Sequence, residues 1–147
     1  MANESQPTGG GGPLAGLRML LVGDDAISAG ALSAQLVSQG VDVRGARSAE
    51  DAMAAVRAFD MDVVVVDLVL PRMSGLLFVR QCRAQASMRC VIFVGISGLD
   101  GGQVERLALE SGCTAYFAKP VDVPAFTLLV GEERRRYLEA RGHERTT

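Results

Sequence analysis

Four consecutive β-branched residues, Val63 to Val66, run directly into Asp67. An apolar run this short with polar residues on either side has the character of a strand buried on both faces of a parallel sheet. A carboxylate cannot lie inside such a run and stay ionised at low cost. Asp67 therefore belongs at the C-terminal end of the strand, the edge where open α/β sheets place their ligands. The segment that follows, Leu68-Val69-Leu70-Pro71-Arg72-Met73-Ser74-Gly75, reads as a loop because Pro71 has no amide hydrogen and a fixed φ. Ser74 then starts a helix. An Asp so placed often only caps a helix or faces solvent, so the rest of the chain decides its role.

The same alternation recurs along the sequence. Arg18–Val22 is a first buried strand, ended by Gly23-Asp24-Asp25, and Ile27, Leu32, Leu36 and Val37 keep helical spacing from Ala26 to Gln39 before a stop at Gly40. Val41–Ala46 is a short strand, and Ser48 with Asp51 opens a second helix that turns Ala52, Met53, Val56 and Phe59 inward. A third helix is expected from about Ser74 to Ala84, a strand over Cys90–Ser97, a weaker helix over Gln103–Glu110 and a last strand over Ala115–Ala118. Asp122 caps a final helix with Pro124 in its first turn, where proline is tolerated. Five βα units imply a parallel sheet with helices on both faces. Right-handed crossovers favour the flavodoxin-like doubly wound order 2-1-3-4-5. The organisation read from this is a flexible Gly-rich leader at 1–15, the folded domain at 16–131, and a helix extension with a polar tail at 132–147.

Composition narrows the function classes. The length, 147 residues, suits one domain, and a formal net charge of −2 supplies no basic field for nucleic acid or an anionic membrane. No stretch is long and apolar enough to span a bilayer, so no membrane insertion is expected, and the start lacks signal-peptide features. The three cysteines, Cys82, Cys90 and Cys113, show no metal spacing and are expected to fill core or helix-packing space in a reduced, cytoplasmic chain. Arg134-Arg135-Arg136 alternates with Glu132, Glu133 and Glu139, so a solvated helix face with Glu132/Arg136 and Arg135/Glu139 pairs is expected, continuing to about Ala140, rather than direct nucleic-acid contact. His143 sits in the polar tail and is expected to be solvated. Leu128-Leu129-Val130 reads equally as core or as the face of a homodimer.

Four strands end in polar groups: Asp24 and Asp25, Asp67, Ser97, and Lys119. In a parallel sheet these ends share one edge. Three carboxylates about 5 Å apart repel by up to a few kcal/mol per pair at an effective dielectric of about 20, which a proton or a cation must relieve. Mg²⁺, with its preference for one or two carboxylates plus water, suits such a site, and Mn²⁺ can substitute. Asp67 can then act as a nucleophile toward phosphorus. Lys119 and the cation neutralise the phosphoryl oxygens, and the Ser97 hydroxyl donates to one of them.

These residues resemble the receiver domains of two-component response regulators. The likeness rests on Asp24-Asp25, Asp67, Pro71, Gly75, Ser97, Tyr116 and Lys119-Pro120, and it covers about Arg18 to Val130. It implies that Asp67 is phosphorylated by a histidine kinase or phosphotransfer protein. It further implies that Asp24, Asp25, Asp67 and the backbone carbonyl of Val69 hold Mg²⁺, and that Ser97 and Tyr116 form a switch pair. The Lys119–Pro120 bond is expected to be cis. By the same resemblance, a target protein would be met by the face of the fourth helix, fifth strand and fifth helix. The chain would be a signalling receiver that catalyses only its own phosphorylation and dephosphorylation.

Several positions depart from the family pattern. Gly23 precedes the acid pair, and Gly95 interrupts the fourth strand, a weak position or one of close backbone approach. Asp100-Gly101-Gly102 is loose as well, so the fourth helix is expected to be weakly held. Val69 and Leu99, apolar two residues beyond Asp67 and Ser97, cannot hold a water in line for attack, which predicts slow self-dephosphorylation. Three alternatives stand beside the receiver reading. An aspartyl-nucleophile phosphatase would want an acid where Val69 lies. A flavin or nucleotide site would want phosphate-binding amides and hydroxyls where Asp24 and Asp25 lie. A phosphorylation-independent interaction module would merely retain the acids.

Overall fold

The computed structural model describes residues 12–24, 30–98 and 102–146, with side chains as far as 138. Five strands, β1 (Arg18–Val22), β2 (Asp42–Ala46), β3 (Val63–Asp67), β4 (Ile92–Ser97) and β5 (Ala115–Ala118), form one parallel sheet in the order β2-β1-β3-β4-β5. This is the doubly wound, flavodoxin-like order that right-handed crossovers require. The helices are α1 (Ala31–Ser38), α2 (Ala49–Ala58), α3 (Gly75–Arg83), α4 (Gly102–Ser111) and α5 (Val123–Thr146), with a 3₁₀ turn at Ala86–Met88.

Strand periodicity divides the core. Val64 and Val66 with Leu20, Val22 and Phe93 face α2, α3 and α4. Val63 and Val65 with Met19, Leu21, Ile92, Val94 and Ile96 face α1 and α5. All five β3 residues are buried, as a central strand covered on both faces must be. Ser48 Oγ accepts from Asp51 N (3.1 Å) and Ser74 Oγ from Leu77 N (3.1 Å), so α2 and α3 each begin on a serine cap.

Several features differ from the sequence reading. Phe59, read as turned inward, ends α2 half-exposed, with the Arg44 guanidinium 4.0 Å over its ring. Cys82 and Cys113 are buried but Cys90 is exposed, because β4 starts at Ile92 and Cys90 lies in the turn before it. The expected leader is part of the packed body at its end. Leu14 is fully buried with Phe126 and Val130, and Gly16 N donates to Gly40 O at 3.0 Å.

The last helix runs to Thr146, past the expected Ala140. Arg134, read as solvated, instead donates from its Nη1 to Pro13 O (3.1 Å) and Ala15 O (2.9 Å). Arg136 pairs with Glu133 at 3.1 Å rather than with Glu132. The Leu128-Leu129-Val130 segment is divided: Val130 is core, Leu129 packs beside it and Leu128 is exposed. The beginning of the expected first helix, residues 25–29, and the loop at 99–101 lie outside the described residues, as do the side chains of Glu139 and His143.

Candidate functional site

Asp67 closes β3 in register with Ile96, and Leu68 N donates to Ile96 O at 2.9 Å, so the β3–β4 ladder runs one residue past the carboxylate. The Asp67 residue is only 5% exposed. Its Oδ1 accepts from Val69 N at 2.9 Å and its Oδ2 accepts from Lys119 Nζ at 2.6 Å. Lys119 is delivered by the neighbouring ladder, its amide donating to Ser97 O at 2.9 Å. A charge-assisted bond to a buried carboxylate is short and strong, and removing the amine would leave that charge without its counter-ion.

The loop after Asp67 folds back on the strand that precedes it. Met73 N donates to Pro71 O at 2.7 Å around Arg72, whose φ is 70°. This is a γ-turn of the strained, positive-φ kind. Gly75 N donates to Leu68 O at 3.1 Å. A Cβ on Gly75 would stand 2.5 Å from Asp67 O and 2.8 Å from Leu68 Cα, so glycine alone lets α3 begin this close to the acceptor strand.

Of the residues singled out from the sequence, Asp67 and Lys119 are in direct contact. Ser97 is fully buried at the end of β4, between the strands that supply those two. Asp24 lies exposed two residues beyond β1, which pairs with β3 through Val22 and Val66. Tyr116 is half-buried on β5 opposite Gly95 and packs on the cluster that holds Leu68 and Phe93. The Lys119–Pro120 peptide is cis. Val69 is 63% exposed. Asp25 and Leu99 lie outside the described residues.

Sequence reasoning missed the Val69 amide. An aspartate that accepts from the amide two residues on is an Asx-turn, and Asp67 at a strand-to-loop junction carried that signal. It also gave no sign that Leu68, next to the acceptor, is buried. Thr114, just before β5, accepts from Phe93 N and from Arg83 Nη2, each at 3.2 Å.

Among the described residues no three acidic, His or Cys side chains group to hold a metal ion. Two carboxylates, Asp24 and Asp67, stand at neighbouring strand ends, and the chemistry of these hard oxygen donors fits Mg²⁺, which needs one or two carboxylates and keeps its waters. The buried thiols offer no competing nucleophile. Burial pushes Cys82 and Cys113 up to about 11, leaving them protonated at neutral pH. Among the described residues no helix is long and apolar enough to cross a membrane.

The family model described as the response regulator receiver domain matches residues 19–130. A protein-glutamate methylesterase/protein-glutamine glutaminase of Anaeromyxobacter dehalogenans is 36% identical over 103 residues, 70% of this chain and 29% of that protein. The two-component response regulator PhoP of Pseudomonas aeruginosa is 34% identical over 104 residues, 71% of this chain and 45% of that protein. The chain thus spans less than half the length of these curated relatives. The solved complex of the Saccharomyces cerevisiae histidine phosphotransfer protein Ypd1 with the receiver domain of its downstream response regulator Ssk1 matches with 25% identity and a TM-score of 0.71, covering 81% of this chain and 89% of that one. With the family model covering most of the sheet and its helices, the chain belongs to the response regulator receiver domains, the signalling modules of two-component systems.

Proposed function

We propose that Asp67 accepts a phosphoryl group from a phosphohistidine on a kinase or phosphotransfer protein in the cytoplasm. The carrying observation is the 2.6 Å contact between Lys119 Nζ and Asp67 Oδ2 at the C-terminal edge of the sheet. An Asp67 oxygen forms the new O–P bond as the N–P bond of the donor breaks, and the electron pair returns to the imidazole nitrogen. Val69 N–H keeps the other carboxylate oxygen in place, and Lys119, already beside the nucleophile, takes up charge that develops on the phosphoryl oxygens. Ser97 is the hydroxyl nearest in the strand order to donate to the product. Asp24, Asp25, Asp67 and the Val69 carbonyl are the groups that would hold Mg²⁺ or Mn²⁺, which when bound neutralises the same oxygens. The likeness to the Ssk1 receiver, solved with its phosphotransfer partner, supports a partner of that kind. Tyr116 then acts with Ser97 as the switch, and α4, β5 and α5 present the face read by a target protein or by a second copy. The chemistry serves signalling alone, with the chain acting on its own aspartate.

Incubation with acetyl phosphate and Mg²⁺ followed by intact mass tests this. One phosphoryl adduct is expected, absent in Asp67→Ala. No adduct on the unaltered chain, or one that survives Asp67→Ala, overturns the proposal. Steady turnover of a small phosphomonoester would favour the phosphatase alternative instead.

A further inference from the structure

The residue after the acceptor occupies an unusual seat. Leu68 is 6% exposed, and its backbone is pressed against Gly75, the first residue of α3. Its side chain fills the space that Gly95 leaves open on β4. A Cβ on Gly95 would lie 3.1 Å from Leu68 Cδ2, 3.2 Å from Cys113 Sγ and 3.5 Å from Ala108 Cβ. Ala108 is one of two buried residues on α4, the other being Ser111. This short helix is therefore held to the sheet through very few side chains, and one of them meets Leu68 over a glycine. Tyr116, directly across the β4–β5 ladder from Gly95, borders the same space.

We infer that Leu68 is a positioning residue: seated over Gly95 against Ala108 and Cys113, it fixes the backbone from which Asp67 presents its carboxylate and joins that backbone to α4. The inference rests on the phospho-acceptor reading of Asp67. A methyl at 95 would press on Leu68 Cδ2 and Cys113 Sγ, each of which must give by a few tenths of an ångström, and through Leu68 on the acceptor backbone and the helix. A shorter residue at 68 would then make room again.

The test uses the full chain, unaltered and as Gly95→Ala, Leu68→Val and Gly95→Ala/Leu68→Val. The maximal rate of phosphorylation and the KM for acetyl phosphate are followed by intact mass, and amide exchange is followed across residues 102–111 without and with phosphodonor. Gly95→Ala is expected to lower the maximal rate about fivefold at unchanged KM and to speed exchange in α4. Adding Leu68→Val should return both to within about twofold of the unaltered chain, the signature of coupled neighbours. Unchanged rate and exchange in Gly95→Ala overturn the inference. So do losses that simply multiply in the double variant. If the unaltered chain takes up no phosphoryl group, the acceptor reading fails. The α4 exchange of the four proteins still decides whether Leu68 and Gly95 share the seat.

Discussion

Arg72 shows what a single residue can cost at a functional loop. Its φ of 70° is a conformation that side chains resist, most of all branched ones. Arg72→Gly is expected to raise stability by about 1 kcal/mol and Arg72→Val to lower it by a similar amount, read from urea midpoints at constant slope. The thiols give a second residue-scale test. Near pH 7.5 an alkylating reagent should label the exposed Cys90, while Cys82 and Cys113 react only after unfolding. Both buried thiols hold their protons more tightly folded than unfolded. Their contribution is thus complete below the ordinary thiol value of 9.0 and lost as pH climbs toward about 11, so a melting curve series should fall across that interval. The meeting of Asp67 with Lys119 was legible in the sequence because each ends a strand of one parallel sheet. The exposure of Phe59 and Cys90 was not, since an apolar residue at the last turn of a helix or just before a strand has no periodicity to assign it a side.

At the scale of elements, the serine caps of α2 and α3 were readable, and Ser74→Ala should cost about 1 kcal/mol. Arg83 was not readable, because its partners come from three separate stretches of chain. From the end of α3 it donates to Gly112 O (2.8 Å), Met88 O (3.1 Å), Arg89 O (3.0 Å) and Thr114 Oγ1 (3.2 Å), and its guanidinium lies 4.7 Å over the Phe93 ring. Gly112, at φ 115°, both ends α4 and leaves room for the Arg83 Cγ, which a Cβ there would meet at 2.6 Å. Arg83→Ala is expected to lower unfolding free energy by about 3 kcal/mol, with Arg83→Lys recovering less than half, since an ammonium cannot fork to several carbonyls at once. α4 buries only the small side chains of Ala108 and Ser111, where α1 buries two leucines. Amide exchange in α4 is expected to be faster than in α1.

For the molecule as a whole, strand order was legible because alternating apolar runs and helical spacing leave few right-handed arrangements. The edges of the fold were harder to place. Four glycines beginning at residue 9 suggested that nothing in the 1–15 leader packs, yet Leu14 is plugged between α5 and the sheet. A lone leucine in a polar, glycine-rich stretch gives no pattern to weigh. Leu14→Ala should cost about 3 kcal/mol, as for a large core side chain whose cavity does not collapse, measurable by thermal or urea unfolding.

The strap formed by residues 13–15 across α5 bears on how this domain is cut and joined. The family match begins at residue 19 and ends at 130, so a gene fragment trimmed to that span would discard Leu14 from one side and Arg134 from the other. The two missing pieces hold each other, and their loss would uncover Phe126 and Val130 to solvent. Fusion partners and affinity tags are therefore best attached upstream of Gly12, where they leave this buckle fastened.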